Sequence, residues 1–243
     1  MTTQQQRSRR TLWEGVRGIC FDLDGTLVRP EAEPTTGQVA QMLGIPLEEA
    51  RTMMEQGAKR RRTTPEALAR DLAAAFHRPA LAGPLTQVLE QARQRAAEPE
   101  LFPDAEPTLV ALRERGFALF ALTNSLGSSI PAEPPQAFRT LLDQVIYSAE
   151  TGAVKPEREA FAALEHVSRL GPDRLLHVGD SPRADVAGAA AAGWHTAWLD
   201  RHQAGGPLMT SARTVRLHTL TTLPLLLTAG PATAPAAISA ASR

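Results

Sequence analysis

The chain has 243 residues, 43% of them hydrophobic, and its 26 basic and 26 acidic side chains cancel to a formal net charge of zero. That length suits one large domain or a core with a subdomain, and the charge balance gives no bulk field for nucleic acid or a membrane surface. No apolar run reaches the length of a bilayer span, Met1–Arg10 lacks the apolar stretch of a secretory signal, and the single Cys20 excludes an internal disulfide, as suits a reducing, cytoplasmic setting.

Residues 1–12 read as a disordered N-terminus. The first strand lies in Gly18-Ile19-Cys20-Phe21-Asp22-Leu23-Asp24-Gly25-Thr26-Leu27, where an apolar run ends in two carboxylates spaced i, i+2. Residues two apart in a strand point to one side, so Asp22 and Asp24 begin on one face at its carboxyl end, where open α/β sheets place their chemistry. Burying both is unfavourable without a partner, and a divalent cation with oxygen ligands is the usual remedy. The plainer reading is a turn, with Asp and Gly chosen for turn geometry.

From about 36 to 100 the apolar spacing is three and four, as in Val39, Met42, Leu43 and Leu68, Leu72, Phe76, which predicts amphipathic helices. Thr63-Thr64-Pro65-Glu66 reads as a helix start with a capping box from Thr63 to Glu66. Lys59-Arg60-Arg61-Arg62 reads as a solvated basic face, or else as a contact for an anionic substrate tail, and Met53-Met54 as internal packing. The stretch is too long for a βα loop and reads as an inserted helical subdomain.

After Pro103 strand and helix alternate: helix 104–115, strand 117–122, helix 135–142, strand 144–147, helix 157–169, strand 174–178, a small-residue helix 184–192, and a last clear strand, Trp194 to Leu199. This rhythm implies a parallel sheet with right-handed crossovers. Three features in it carry chemistry. The second strand ends in Thr123-Asn124, whose hydroxyl and turn N–H groups suit phosphate oxygens, or simply a loop. Lys155-Pro156 keeps a lysine in a chain with only two, against 24 arginines, and a compact ammonium differs from a forked guanidinium; it reads equally as a helix start. Gly179-Asp180 closes another strand, with Asp185 five residues on, placed near Asp180 or at a helix N-terminus. Residues 229–243, rich in Ala, Pro, Thr and Ser, read as a disordered tail.

In this order, Asp22-Leu23-Asp24-Gly25-Thr26, Thr123-Asn124, Lys155-Pro156 and Gly179-Asp180 with Asp185 resemble the four motifs of the haloacid dehalogenase superfamily, over roughly residues 16–200. The resemblance implies a subfamily I phosphatase. Its fold would be an α/β Rossmann-like three-layer core with a parallel sheet, over 13–28 and 103–228, and its helical C1 cap would cover 29–102. It implies Asp22 as nucleophile on phosphorus and Asp24 as acid and base. Thr123, Asn124 and Lys155 would hold the phosphoryl oxygens. Mg²⁺ would be held by Asp22, the Asp24 main-chain carbonyl and Asp180, with Asp185 a ligand or an orienter of ligands. The implied partner is a small phosphorylated metabolite; oligomeric state is left unassigned.

Within the family, a sugar-phosphate mutase shares these motifs. Dehalogenases and phosphonatases typically lack the second acid, present here as Asp24, and a phosphonatase would need a cap lysine, for which Lys59 is the one candidate. A phospho-accepting receiver domain is shorter and carries no helical insertion.

Overall fold

The computed structural model describes residues 13–203 and 214–227; the ends read as disordered, 1–12 and 229–243, lie outside these. Six strands, β1 (Gly18–Phe21), β2 (Ala118–Thr123), β3 (Gln144–Tyr147), β4 (Leu175–Gly179), β5 (His195–Leu199) and β6 (Thr214–Leu217), form one parallel sheet in the order β3-β2-β1-β4-β5-β6. The α/β Rossmann-like expectation is met. β6 goes beyond the strands read from the sequence. It is an edge strand, only half-buried, and Arg216 interrupts its apolar pattern. That guanidinium lies 4.8 Å over the Trp198 ring and pairs with Asp200.

Between β1 and β2 the chain forms α1 (Thr35–Leu43), α2 (Leu47–Met53), a π-helical turn over Met54–Ala58, α3 (Pro65–Ala75) and α4 (Ala82–Ala97). Val39, Leu43, Met54, Leu68, Leu72, Leu85 and Leu89 make a further core, as the spacing predicts, which Leu126 joins from the loop after β2. α1 stops at Gly44, whose φ of 65° is the left-handed geometry that glycine adopts without strain. α3 begins differently from the sequence reading. Thr64, not Thr63, is its N-cap, taking the Ala67 N–H at 3.2 Å, with Pro65 in the first turn. The main chain of Thr63 is engaged elsewhere, its N–H directed to the Gly127 carbonyl. The two crossings into this insertion run as a ribbon: Val28 bridges Leu101, Arg29 N–H donates to Glu100 O at 2.8 Å, and Phe102 N–H to Leu27 O at 2.9 Å.

The remaining helices are α5 (Ala105–Glu114), α6 (Gln136–Leu141), α7 (Ser148–Thr151), α8 (Arg158–Ser168), α9 (Gly188–Ala191) and α10 (Leu223–Leu226). Strand residues alternate between two buried layers. Ile19, Phe21, Leu119, Leu176 and Val178 pack with Leu109, Leu112 and Phe138; Cys20, Phe120, Leu122 and Leu175 pack with Phe161, Leu164 and Trp194. The helix expected over 184–192 is split into a π turn, Pro182–Ala187, and the short α9. Gly188 makes that junction possible, since a Cβ there would lie 2.9 Å from both Phe161 and Pro156.

Beside the ribbon, Arg201 stacks 3.8 Å over the Phe102 ring and forks onto Asp104 with two bonds of 2.9 Å. Asp104 also accepts from Thr219 Oγ1 at 2.8 Å and Leu220 N–H at 2.9 Å. Burial alone would raise its carboxyl; Arg201, the Leu220 N–H and Thr219 outweigh burial and hold it below its ordinary value. A depressed carboxyl adds stability that is complete above the unfolded value of about 4 and is lost as pH falls through the lower folded value. Water still reaches the pair, so Asp104→Ala is expected to remove about 1–2 kcal/mol at pH 7. Denaturant titration checks this: the gap to the parent protein should shrink below pH about 4, and a gap of the same size at low pH would assign the loss to packing instead.

Candidate active site

The chain lays β2 and β3 on one side of β1, then crosses to lay β4, β5 and β6 on the other. Such a switch opens a crevice at the carboxyl ends of the central strands. Phe21 is in register with Ala121 on one side and Val178 on the other, and Asp22 N–H donates to Val178 O at 2.9 Å. Asp22, Thr123 and Asp180 therefore stand at the ends of three adjacent strands.

Lys155 joins them from the loop before α8. Its Nζ donates to Asp22 Oδ1 and to Asp185 Oδ1, both at 2.6 Å, and Lys155 is 3% exposed, Asp22 9% and Asp185 1%. Burial would lower the lysine; the Asp185 and Asp22 charges outweigh it and keep the ammonium charged. Asp185 also lies 3.0 Å from His177 Nε2 and accepts the Ser181 N–H at 2.9 Å. Burial opposes its charge, but Lys155 and His177 hold its carboxyl well below the usual range. His177 is itself pushed down by burial, toward the neutral ring. Asp22 shifts the other way: burial raises it, Lys155 opposes, and the Asp185 charge adds to the rise.

Carboxylate oxygens of Asp22, Asp180 and Asp185 lie within 4.8 Å of one another. These three acids gather around the single ammonium of Lys155 in a desolvated crevice, an excess of negative charge that a hard divalent cation would offset. An all-oxygen donor set fits Mg²⁺ rather than a softer metal. Asp180 is the open member of the three, and burial, with Asp185 adding, pushes its carboxyl up to about 6. It leans on the bare backbone of Gly25, where a Cβ would sit 2.3 Å from Asp180 Oδ2, and Trp198 Nε1 holds its main-chain carbonyl at 3.0 Å. Asp24 is solvent-accessible at the crevice mouth, yet protein crowds it. That desolvation, with Glu31 adding, raises its carboxyl.

Thr123 is buried, its hydroxyl 3.2 Å from Ser125 Oγ. The Asn124 side chain is committed to the main chain of Lys155: Nδ2 donates to Lys155 O at 2.9 Å, and Lys155 N–H donates to Oδ1 at 2.8 Å. Its amide thus fixes the lysine, while the turn's own N–H groups are what remains for an anion. His177 was missed in the sequence, although a polar residue inside a fully buried strand signals a buried partner.

The basic run departs from the solvated face read in the sequence. Arg61 and Arg62 are exposed and pair with Asp71 and Glu150, but Arg60 forks onto Glu157 at 3.0 and 2.5 Å and reaches Gly152 O at 3.1 Å. Glu157 in turn accepts the Val154 N–H at 3.1 Å. The lysine loop is therefore held by Asn124 from one side and by Arg60 of the insertion from the other. Arg60→Ala is expected to speed amide hydrogen exchange across 152–157 roughly tenfold, with Arg60→Lys intermediate because a point charge cannot fork. Unaltered exchange in both variants would show that Asn124 holds the loop alone.

Residues 16–193 match the family described as haloacid dehalogenase-like hydrolase. The phosphoserine phosphatase of Thermus thermophilus is 34% identical over 118 residues, 45% of this chain and 44% of that protein. The phosphoglycolate phosphatase of Aliivibrio fischeri is 28% identical over 203 residues, 76% of this chain and 84% of that protein. The chain thus spans less than half of the first relative and most of the second. Among solved structures, a 2-haloacid dehalogenase from Pseudomonas syringae superposes with a TM-score of 0.62 at 22% identity, covering 87% of this chain and 97% of that one. A HAD phosphatase from Thermococcus onnurineus gives 0.55 at 23%, covering 88% and 99%. At these identities the structures speak to the fold alone. With the match running through every strand that carries a crevice residue, the chain belongs to the haloacid dehalogenase-like hydrolase family.

Proposed function

We propose that the protein is a Mg²⁺-dependent phosphatase acting on a small phosphate monoester through a phospho-aspartate on Asp22. The observation that carries this reading is the pairing of a lysine-bound Asp22 with a second acid, Asp24, two residues on at the crevice mouth. Dehalogenases in the family typically lack that second acid. The phosphoserine and phosphoglycolate phosphatases that the chain resembles are named for small phosphate monoesters, which supports the same class here.

Asp22 has one carboxylate oxygen on Lys155 and the other free to attack phosphorus. As the bond from phosphorus to the ester oxygen breaks, Asp24 gives that oxygen its proton; the raised carboxyl of Asp24 suits an acid near neutral pH. Asp24, now ionised, takes a proton from a water that attacks phosphorus, and the bond to Asp22 breaks, releasing inorganic phosphate. Lys155, Thr123 and the turn N–H groups at Asn124 offset the oxygen charges. Mg²⁺ would be held by Asp22, the Asp24 carbonyl and Asp180, with Asp185 fixing Lys155 behind them, and would supply charge neutralisation at the phosphoryl group. The helical insertion acts as the cap, which excludes water and meets the alcohol part of the substrate. A cytoplasmic enzyme is consistent with the buried, unpaired Cys20; among the described residues no helix is long and apolar enough to cross a membrane.

Phosphate release from a panel of small phosphomonoesters tests the reading. Asp22→Asn is expected to abolish turnover, Asp24→Asn to lower it about 10²–10⁴-fold, and EDTA to stop the parent enzyme. Near-normal release by pure Asp22→Asn protein would remove the nucleophile assignment.

A further inference from the structure

Both lysines of this chain converge on one crevice. Of 26 basic residues only Lys59 and Lys155 are lysine. Lys155 is bound between two carboxylates. Lys59 comes from the opposite side, at the end of the π turn of the insertion. Its N–H closes that turn on Met54 O at 2.9 Å, and its carbonyl accepts Ser148 Oγ at 2.7 Å. The neighbouring Ala58 carbonyl takes the Gly127 N–H at 2.8 Å, and Arg60 is locked to Glu157. A Cβ on Gly127 would lie 1.8 Å from Arg61 O, so the loop and the insertion meet backbone to backbone. The Lys59 backbone is thus fixed to the sheet core on both flanks.

Its side chain is half-buried and lies in the field of Glu55, Asp24, Asp22 and Lys155. Among the described residues it forms no ion pair and no side-chain hydrogen bond. Burial draws its amine below the ordinary lysine value, the direction expected of a cation without a close partner. Burial outweighs the charges of Glu55, Asp24 and Asp22, none of which pairs with the ammonium, and an anion brought by the ligand to hydrogen-bond distance removes that deficit. The transferred phosphoryl group already has Lys155 beneath it, so the charge for Lys59 sits on the other end of the substrate.

We propose that Lys59 binds a second anionic group, a carboxylate or a further phosphate, on the alcohol portion of the substrate. This rests on the phosphatase reading of the same site. It makes Lys59 a specificity residue, and it confines the preferred substrates to phosphomonoesters whose leaving group is itself charged.

Matched pairs test it: phosphoglycolate against 2-hydroxyethyl phosphate, 3-phosphoglycerate against glycerol 3-phosphate, and a glycerol bisphosphate against glycerol 3-phosphate. The parent enzyme is expected to favour the charged member in kcat/KM. Lys59→Gln is expected to reduce that preference about 10–100-fold, chiefly through KM, and Lys59→Arg to restore part of it. Whichever pair shows the larger drop tells carboxylate from phosphate. Calorimetric binding of the same pairs to Asp22→Asn protein, with and without Lys59→Gln, reads the preference without turnover. A failed phosphatase reading would therefore show as absent release with the binding difference intact. Equal binding of charged and uncharged members, or a preference untouched by Lys59→Gln in a protein whose circular dichroism matches the parent, overturns the proposal.

Discussion

A lysine ammonium buried between two carboxylates at 2.6 Å organises this molecule. A charge so deep is tolerated only when paired and hydrogen-bonded, and loss of either partner leaves an uncompensated ion worth several kcal/mol. The surrounding sequence answers that constraint piece by piece. Asn124 grips the lysine main chain, His177 and the Ser181 N–H hold Asp185, and Gly179 has no side chain because a Cβ there would lie 2.2 Å from the Asp185 carboxyl carbon. Residues that look like loop filler in the sequence are thus the bracing of one ion.

The same constraint explains why the crevice is electrostatically uneven. Asp185 is held far down and Asp22 is pushed up, though both touch the same ammonium. The difference lies in the other neighbours: Asp185 has His177 and a main-chain N–H, while Asp22 faces the open crevice with Asp185 and Asp180 nearby. One acid is therefore a fixed structural anion. The other is left with a free oxygen and unmet electrostatic demand, which is the condition of a group meant to receive a ligand.

Much of this was legible in the residues. Runs such as Ile19-Cys20-Phe21 and Leu175-Leu176-His177-Val178 announce strands buried on both faces, and acids at their ends announce the crevice. What escaped has physical reasons. β6 is half-exposed and carries Arg216, so no apolar run marks it. The start of α3 slipped by one residue because two threonines compete for the cap, and a distant carbonyl claims the main chain of Thr63. Lys59-Arg60-Arg61-Arg62 looked solvated because charge alone does not reveal an acid about ninety residues away; Arg60 and Glu157 are 97 apart. Asn124 read as an anion ligand because an amide in a turn looks the same whether it faces a phosphate or a peptide.

The ribbon at Val28 and Leu101 has a consequence for how this chain can vary. Because the two crossings are already paired, the sheet sees the whole helical insertion as a closed loop with fixed ends. Closure entropy grows only with the logarithm of loop length, about 0.6 kcal/mol for each doubling. Helices can thus be lengthened or shortened beyond the ribbon at little cost in closure, provided the 58–62 segment keeps its bonds to Gly127, Ser148, Glu150 and Glu157. The ribbon at one end and the 58–62 segment at the other are therefore two fixed points, and the variation open to the insertion lies in the helices strung between and beyond them.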